Sequence, residues 1–194
     1  MRGGRPIGGA ALALLAICCL PTPVGAQFRV PQSCVGSDSP AQRVTIAGAD
    51  EPGERLTVSG RVVDGQGRPL GGHRIQVFHT DAQGYYSRNS MDETNPRLCG
   101  VMTSGEDGDY RFETIRPADY ATGGASAHIH YSVWTPDGAV QRFTLRLAAE
   151  PVEAASAAAA AARAATGERT SSRRPLVRDE SGRLHLVYDL ELRR

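Results

Sequence analysis

Alternation of apolar and polar residues in short segments is the feature that most constrains the fold of this chain. The alternating segments are separated by turns rich in Gly and Asp, such as Asp64–Gly67 and Pro136–Gly138. Successive side chains of a β-strand point to opposite faces, so a period of two predicts strands that bury one face. The predicted strands are Arg55–Val63, Arg74–His79, Asp109–Ile115, His128–Trp134, Ala139–Leu147 and Arg183–Leu192. Short strands at regular spacing predict an all-β protein, an antiparallel β-sandwich or barrel, and we expect the sandwich.

The N-terminal segment has the pattern of a secretory signal peptide. Arg2 and Arg5 precede the apolar run 7–20, and small residues at Val24–Ala26 stand where a signal peptidase cuts. The apolar run is too short to span a bilayer, which argues against the alternative of a membrane anchor. We therefore expect residues 1–26 to be removed and the protein to be exported, periplasmic or secreted, without membrane association.

The chain after the signal divides into an arm, a domain and an insertion. Residues 27–52 carry scattered Pro, Gly and Ser and are predicted to form an extended N-terminal arm. Residues 53–194 contain the predicted strands and form the β-sandwich domain. The stretch 153–170 is rich in alanine, which favours a helix, but it has no apolar stripe for docking. We expect a helical or disordered surface insertion there.

The charge balance gives no sign of a nucleic-acid partner. All 22 basic residues are arginines, and removal of Arg2 and Arg5 with the signal would leave a formal net charge of −1. Such a chain lacks the basic surface that binding to nucleic acid or to anionic lipid requires. We expect small-molecule partners, and the oligomeric state stays open.

Two cysteines, Cys34 and Cys99, remain after the signal peptide is removed. An even number of cysteines in an oxidising compartment predicts a disulfide that ties the N-terminal arm to the loop near Cys99. Two free thiols are the alternative, because separation along the sequence says nothing about the distance between the Cα atoms.

A pair of histidines two residues apart is the first candidate for chemistry. His128 and His130 lie on a predicted strand and therefore point to the same face, so both imidazoles can approach one metal ion. Two surface or hydrogen-bonded histidines are the alternative. The other histidines, His73, His79 and His185, have no spacing relation to the pair.

Tyrosine is the other donor type near this pair. A third histidine or a cysteine would indicate zinc or copper, whereas phenolate is a hard ligand that favours ferric iron. Since free tyrosine has a pKa near 10, only a strong Lewis acid deprotonates it at neutral pH. The tyrosines in question are Tyr86, Tyr110, Tyr120 and Tyr131, each of which could instead be a half-buried aromatic residue.

The local sequence around these residues resembles that of the intradiol ring-cleavage dioxygenases, the family of the protocatechuate and catechol dioxygenases. These enzymes open catechols between the two hydroxyl-bearing carbons. The resemblance covers roughly residues 53–150. Matching segments are Gly60–Asp64, Gly67–Pro69, Asp81–Tyr86, Tyr110–Tyr120 and His128–His130.

The resemblance implies a ferric site and a reaction. Its Fe(3+) ligands would be Tyr86, Tyr120, His128 and His130, with Tyr86 preferred to Tyr85 because of the Gly-x-Tyr spacing from Gly84. Tyr120 would also be catalytic, because it would leave the ion and accept a proton from the substrate. The substrates would be a small aromatic diol and O2, and the product a muconate-type diacid. Tyr110 and Tyr131 would be scaffold residues.

The sequence departs from the family at one charged position. Many members have Arg where this chain has Ala125, and a Gln of the family aligns approximately with Thr144. A missing positive charge near a developing anion lowers catalysis unless another residue replaces it. Arg88, Arg97 and Arg142 are the candidate replacements.

Two other interpretations stay open. One is an iron-binding relative with weak or no catalysis, which the residue at 125 favours. The other is a metal-free carboxypeptidase regulatory-like β-sandwich, which shares the strand-turn of Gly60–Pro69 and the Gly-x-Tyr-x-Phe strand. That module does not require the two histidines or the tyrosines that accompany them.

Overall fold

The computed structural model describes most of the predicted domain. The described residues are 1, 34, 41–155, 158, 159, 162 and 173–193. The predicted signal peptide therefore lies outside them except for Met1, as does most of the alanine-rich insertion. Three described alanines of that insertion, Ala158, Ala159 and Ala162, are helical. No helix among the described residues is long and apolar enough to cross a membrane.

Twelve β-strands arranged in two sheets make up the described chain. The strands are β1 Arg43–Thr45, β2 Arg55–Asp64, β3 Arg74–His79, β4 Leu98–Thr103, β5 Asp109–Ile115, β6 His128–Trp134, β7 Val140–Leu147, β8 Val152–Glu153, β9 Arg173–Arg174, β10 Val177–Arg178, β11 Leu184–Val187 and β12 Leu190–Leu192. The first sheet has the order β1-β5-β2-β11-β10-β8, with β12 also paired to β2. The second has the order β4-β3-β6-β7-β9. The predicted all-β sandwich is confirmed.

The strand pairing is mixed, where the sequence predicted antiparallel strands. The longest pairs are antiparallel: β2 with β5, and β3, β4, β6 and β7 with one another. Several shorter pairs are parallel: β1 with β5 and β7 with β9 at the sheet edges, and β11 with β2 in the middle of the first sheet. Parallel neighbours require crossover connections, and the long segment after β7 supplies one.

Alternate residues of the second sheet face the core and the outside. Ile75 and Val77 of β3 and Ile129 of β6 are fully buried and belong to the cluster between the two sheets. Phe78, on the opposite face of β3, belongs to a second cluster on the outer side of this sheet. The outer face is therefore also covered, and the loops that cover it carry the candidate site.

Several element assignments differ from the sequence prediction, and the short strands β8, β9 and β10 were not predicted. Strand β4 was not predicted because its sequence, Leu-Cys-Gly-Val-Met-Thr, is buried on both faces and shows no alternation. The predicted arm 27–52 contains β1. The predicted final strand is interrupted at Tyr188 and Asp189, where the chain passes over Gly60.

His79 links the two sheets from within the core. Its Nδ1 lies 2.7 Å from the Thr80 carbonyl oxygen, and its Nε2 lies 2.8 Å from Thr114 Oγ1. Because a carbonyl oxygen only accepts, Nδ1 carries the proton and Nε2 accepts from the Thr114 hydroxyl group. Burial lowers the pKa of His79 from 6.5 to about 4, so the neutral form is the one that packs.

The buried His79 predicts a loss of stability in mild acid. An unfolded chain protonates this histidine below pH 6.5, whereas the folded chain does so only near pH 4. The contribution of neutral His79 to the free energy of unfolding is therefore fully present above pH 6.5. It falls as the pH drops towards 4, by at most about 1.4 kcal/mol per pH unit. Urea unfolding of the protein without added metal ions at pH 7.5, 6 and 5 measures the slope. His79→Asn should flatten it, and parallel curves for the two proteins would contradict the assignment.

Candidate metal centre

Four donor side chains meet on the outer face of the second sheet. His128 and His130 stand on β6 two residues apart and so share that face. Tyr86 follows the turn after β3, and Tyr120 lies in the loop between β5 and β6. The structure thus brings together all four residues expected from the sequence to hold a metal.

The four donor atoms form a closed ring of short contacts. The two phenol oxygens of Tyr86 and Tyr120 are 2.6 Å apart, and the two imidazole Nε2 atoms of His128 and His130 are 3.0 Å apart. Tyr86 Oη lies 2.9 Å from His130 Nε2, and His128 Nε2 lies 3.2 Å from Tyr120 Oη. Donors bound to one transition-metal ion at about 2.0–2.1 Å and at right angles would be about 2.9 Å apart. The donor set therefore fits a single ion.

Contacts behind the histidines orient their rings. His128 Nδ1 lies 2.6 Å from the Ser126 carbonyl oxygen, which can only accept, so Nδ1 carries the proton and Nε2 presents its lone pair to the ring of donors. His130 stacks on Phe78 with 4.7 Å between ring centroids and 17° between planes. Both imidazoles are thereby held with Nε2 towards the two phenols.

Burial favours the neutral forms of three of the four donors, Tyr86, Tyr120 and His130, in the absence of a strong cation. Burial raises the pKa of Tyr86, and hydrogen bonding to Tyr120 adds to this effect. Burial also raises the pKa of Tyr120. Burial lowers the pKa of His130 to about 4, and the charge of a protonated His128 would lower it further. At neutral pH His130 therefore offers a lone pair, while the phenols give up their protons only to a strong Lewis acid.

The two tyrosines decide which metal this site suits. No group of three or more His, Cys, Asp or Glu side chains in the described part of the chain could hold an ion. A metal at this position would therefore depend on both phenolates, which are the hard anionic donors that ferric iron favours.

A close contact between two turns places the tyrosines together. Gly84 has a φ of +86°, and a Cβ atom on it would lie 2.1 Å from the Asp119 carbonyl oxygen. The Ala121 N–H donates to the Gly84 carbonyl oxygen at 3.2 Å. The turn that leads to Tyr86 thus rests directly on the loop that carries Tyr120.

Asp81 and Arg97 support the same turn. Asp81 Oδ1 accepts from the N–H of Tyr85 at 3.0 Å, and Asp81 N–H donates to the Tyr85 carbonyl oxygen at 2.8 Å. The Arg97 guanidinium pairs with Glu51 and with Asp81, and the Arg97 N–H donates to the Tyr86 carbonyl oxygen at 2.7 Å. Arg97 therefore holds the loop of Tyr86 in place, and the structure does not put it in the position of the missing arginine.

A disulfide lies under this loop. Cys34 and Cys99 are bonded in the structure, and both pack with Phe78 and Tyr86 in the outer cluster. Because Cys34 precedes β1 and Cys99 is in β4, the bond ties the N-terminal arm to the sheet beside the site.

The other sequence candidates lie elsewhere. Tyr110 and Tyr131 are buried between the sheets with 6.2 Å between ring centroids, which is a scaffold position. Arg88 is exposed and Arg142 lines a different surface pocket. Thr144, which aligns with the family's glutamine, is the register partner of His130 and lines the cavity beside the donors.

Three residues near the site were missed by sequence reasoning. Arg146 and Arg173 line the cavity next to His128, and Glu93 Oε1 lies 3.5 Å from Tyr120 Oη. The arginines reach the site through strand register, which no local motif reveals. Glu93 belongs to the polar loop before β4, and the sequence carries no signal for its contact.

The contact at Gly84 predicts a specific sensitivity to an added methyl group. Gly84→Ala would collide with the Asp119 carbonyl and require a strained φ, and should destabilise the protein by more than about 2 kcal/mol. Gly67→Ala is the matched control, because Gly67 also has a positive φ, +76°, but no atom within 4 Å of the added Cβ. This control should cost about 1 kcal/mol. Urea unfolding measures both, and equal losses would argue against the close contact.

Comparisons with known proteins show similarity to dioxygenases. A family model described as Dioxygenase matches residues 30–165. A catechol 1,2-dioxygenase from Candida albicans is 37% identical over 62 residues, which are 31% of this chain and 20% of that protein. The chain thus spans about one fifth of the length of this curated relative.

Solved structures share the fold. The dioxygenase domain of a dioxygenase–carbohydrate-binding protein fusion from the cellulolytic bacterium Streptomyces sp. SirexAA-E is 26% identical. The match has a TM-score of 0.58 and covers 84% of this chain and 95% of that one. The catechol 1,2-dioxygenase of Acinetobacter sp. ADP1 is 21% identical, with a TM-score of 0.55 over 79% of this chain and 57% of that chain.

The family match favours a dioxygenase fold over the carboxypeptidase regulatory-like module that the strand-turn of Gly60–Pro69 also allowed. Since the matched residues, 30–165, are more than half of the chain and include the whole donor cluster, the chain belongs to the intradiol dioxygenase family.

Proposed function

We propose that the protein is an exported, ferric-iron-dependent intradiol dioxygenase that opens the ring of a catechol-type substrate with O2 to a muconate-type diacid. The observation that carries this proposal is the convergence of two phenol oxygens and two imidazole nitrogens in a ring whose neighbouring atoms are 2.6–3.2 Å apart. A structural core has no need for four polar donors that face one point. Family membership gives the reaction class that such a donor set serves.

Fe(3+) would be held by Tyr86, Tyr120, His128 and His130. The bound ion would supply a Lewis acid that draws electron density from the diol oxygens and makes the ring reactive towards O2. The two phenolates favour ferric over ferrous iron, which suits activation of the organic substrate.

Tyr120 is the residue proposed to move a proton. It is partly exposed and borders the cavity of about 720 Å³ beside the donors, whereas Tyr86 is 1% exposed. Tyr120 Oη is therefore the phenol that an incoming diol reaches first, and it can accept a hydroxyl proton from that diol. Tyr86 packs against Phe78 with 5.8 Å between ring centroids and does not line this cavity.

Residues packed beneath Tyr86 exclude water from one side of the site. The disulfide between Cys34 and Cys99 and the side chains of Val101 and Met91 pack beneath Tyr86. Substrate access is thus left to the opposite side, where Tyr120, the glycines 123 and 124 and the strand β7 border the cavity.

An iron-binding relative with little catalysis is the second candidate. Ala125 lines the cavity at the position where many family members have Arg, so the positive charge expected there is missing. Loss of a preorganised charge of this kind costs a few kcal/mol of transition-state stabilisation.

Exchange of neighbouring tyrosines tests the ligand assignment. Tyr86→Phe removes a phenolate donor and should change the colour of the iron-loaded protein and weaken iron retention during dialysis against citrate. Tyr85→Phe, the adjacent control, should leave both unchanged, because Tyr85 takes no part in the donor ring. The reverse result would assign the ligand to Tyr85.

Oxygen incorporation tests the reaction. The iron-loaded protein should consume one O2 per catechol and place both atoms of ¹⁸O2 in the diacid, with the bond broken between the two hydroxyl-bearing carbons. His130→Ala should abolish both iron retention and turnover. Full iron occupancy with no oxygen uptake across a panel of catechols would replace the enzyme with the inactive iron-binding relative.

A further inference from the structure

The cavity beside the donor ring has a cationic wall. Its charged lining residues are Arg146, Arg173 and Asp119. Asp119 Oδ1 accepts from the Ala127 N–H at 2.7 Å, which commits this carboxylate to the loop that leads into β6. Among the residues that line the cavity, the two arginines therefore outnumber the one acid, and Glu93, the other acid near the donors, does not line it.

Strand register places both arginines on the face of the donors. His128 pairs with Arg146 across β6 and β7, and Arg146 pairs with Arg173 across β7 and β9. Laterally paired residues point to the same face, and adjacent strands are about 4.8 Å apart. The side chain of Arg146 thus starts one strand away from His128, and that of Arg173 starts two strands away. The three residues form one lateral row across β6, β7 and β9, with His128 at the end nearest the other donors.

The two arginines differ in how they are held. Arg146 is exposed and forms no ion pair among the described residues. Arg173 Nη1 donates to the Leu147 carbonyl oxygen at 3.2 Å, which anchors β9 to the end of β7. Arg146 is therefore the one whose charge is available to a ligand, with Arg173 behind it.

We infer that Arg146, supported by Arg173, binds the diolate oxygens of the substrate and replaces the arginine that is absent at Ala125. This inference rests on the proposed function. A diol that binds through both oxygens gives up two protons, one of them to Tyr120, and so becomes a dianion. A guanidinium group beside His128 can stabilise that dianion with two parallel hydrogen bonds.

Catechol binding without turnover tests this inference. The ferric protein is titrated with catechol in the absence of O2, and the change in its visible absorption gives the dissociation constant. Arg146→Gln should weaken binding about tenfold, and the double variant with Arg173→Gln should weaken it further. The absorption before catechol is added should match that of the wild type, because the donor ring is intact. Arg146→Lys should recover part of the affinity.

Arg142→Gln is the matched control. Arg142 stands on the same strand and the same face as Arg146, four residues away, and lines a different pocket. The substitution Arg142→Gln removes the same single charge as Arg146→Gln and should shift the dissociation constant for catechol less than twofold. If Arg146→Gln binds catechol as tightly as this control does, while the wild type shows an iron-dependent response, the inference fails and the proposed function stands. A wild type without iron or without a response to catechol would overturn both.

A carboxylated catechol separates the diolate from a ring substituent as the group that is bound. Contact with the diolate predicts the same fold-loss for catechol and for a catechol that carries a ring carboxylate. A loss confined to the carboxylated ligand would overturn the assignment to the diolate oxygens.

Discussion

The contact between two turns at Gly84 is the constraint on which the site depends. The turn after β3 and the loop before β6 come from different parts of the sandwich, and each brings one tyrosine. They meet with no space for a side chain between Gly84 and the Asp119 carbonyl. Only this approach sets the phenol oxygens of Tyr86 and Tyr120 2.6 Å apart above the two histidines.

The outer position of the site separates its chemistry from the stability of the fold. The large apolar cluster lies between the two sheets, where His79 and Thr114 form the polar link. The donors lie on the other side of the second sheet, with a small cluster of their own around Phe78 and the disulfide. Because the scaffold supplies a fixed strand β6, the loops can change the cavity and its substrate without rebuilding the core.

The sequence predicted the parts that local patterns determine. Alternation gave the strand bounds of β3, β5 and β6, and a spacing of two put His128 and His130 on one face. Family resemblance supplied the two tyrosines, which no periodicity could select from among the six in the chain. A strand buried on both faces, such as β4, does not alternate and was missed.

The register between strands that are distant in the chain could not be predicted from the sequence. Arg146 and Arg173 become neighbours of His128 only through an antiparallel and then a parallel pairing, and the second of these follows a long connection. Sequence reasoning chose Arg88, Arg97 and Arg142 from their place in loops and strands. The structure instead uses Arg97 to hold the loop of Tyr86.

The most direct test of the account is the iron content of the purified protein together with its visible absorption, before and after catechol is added. The account predicts one iron per chain, a tyrosinate-to-ferric absorption band, and a shift of that band when catechol binds. A colourless protein that stays free of iron after reconstitution with ferric salt would contradict it, and the ring of donor atoms would then be a hydrogen-bonded cluster without a metal.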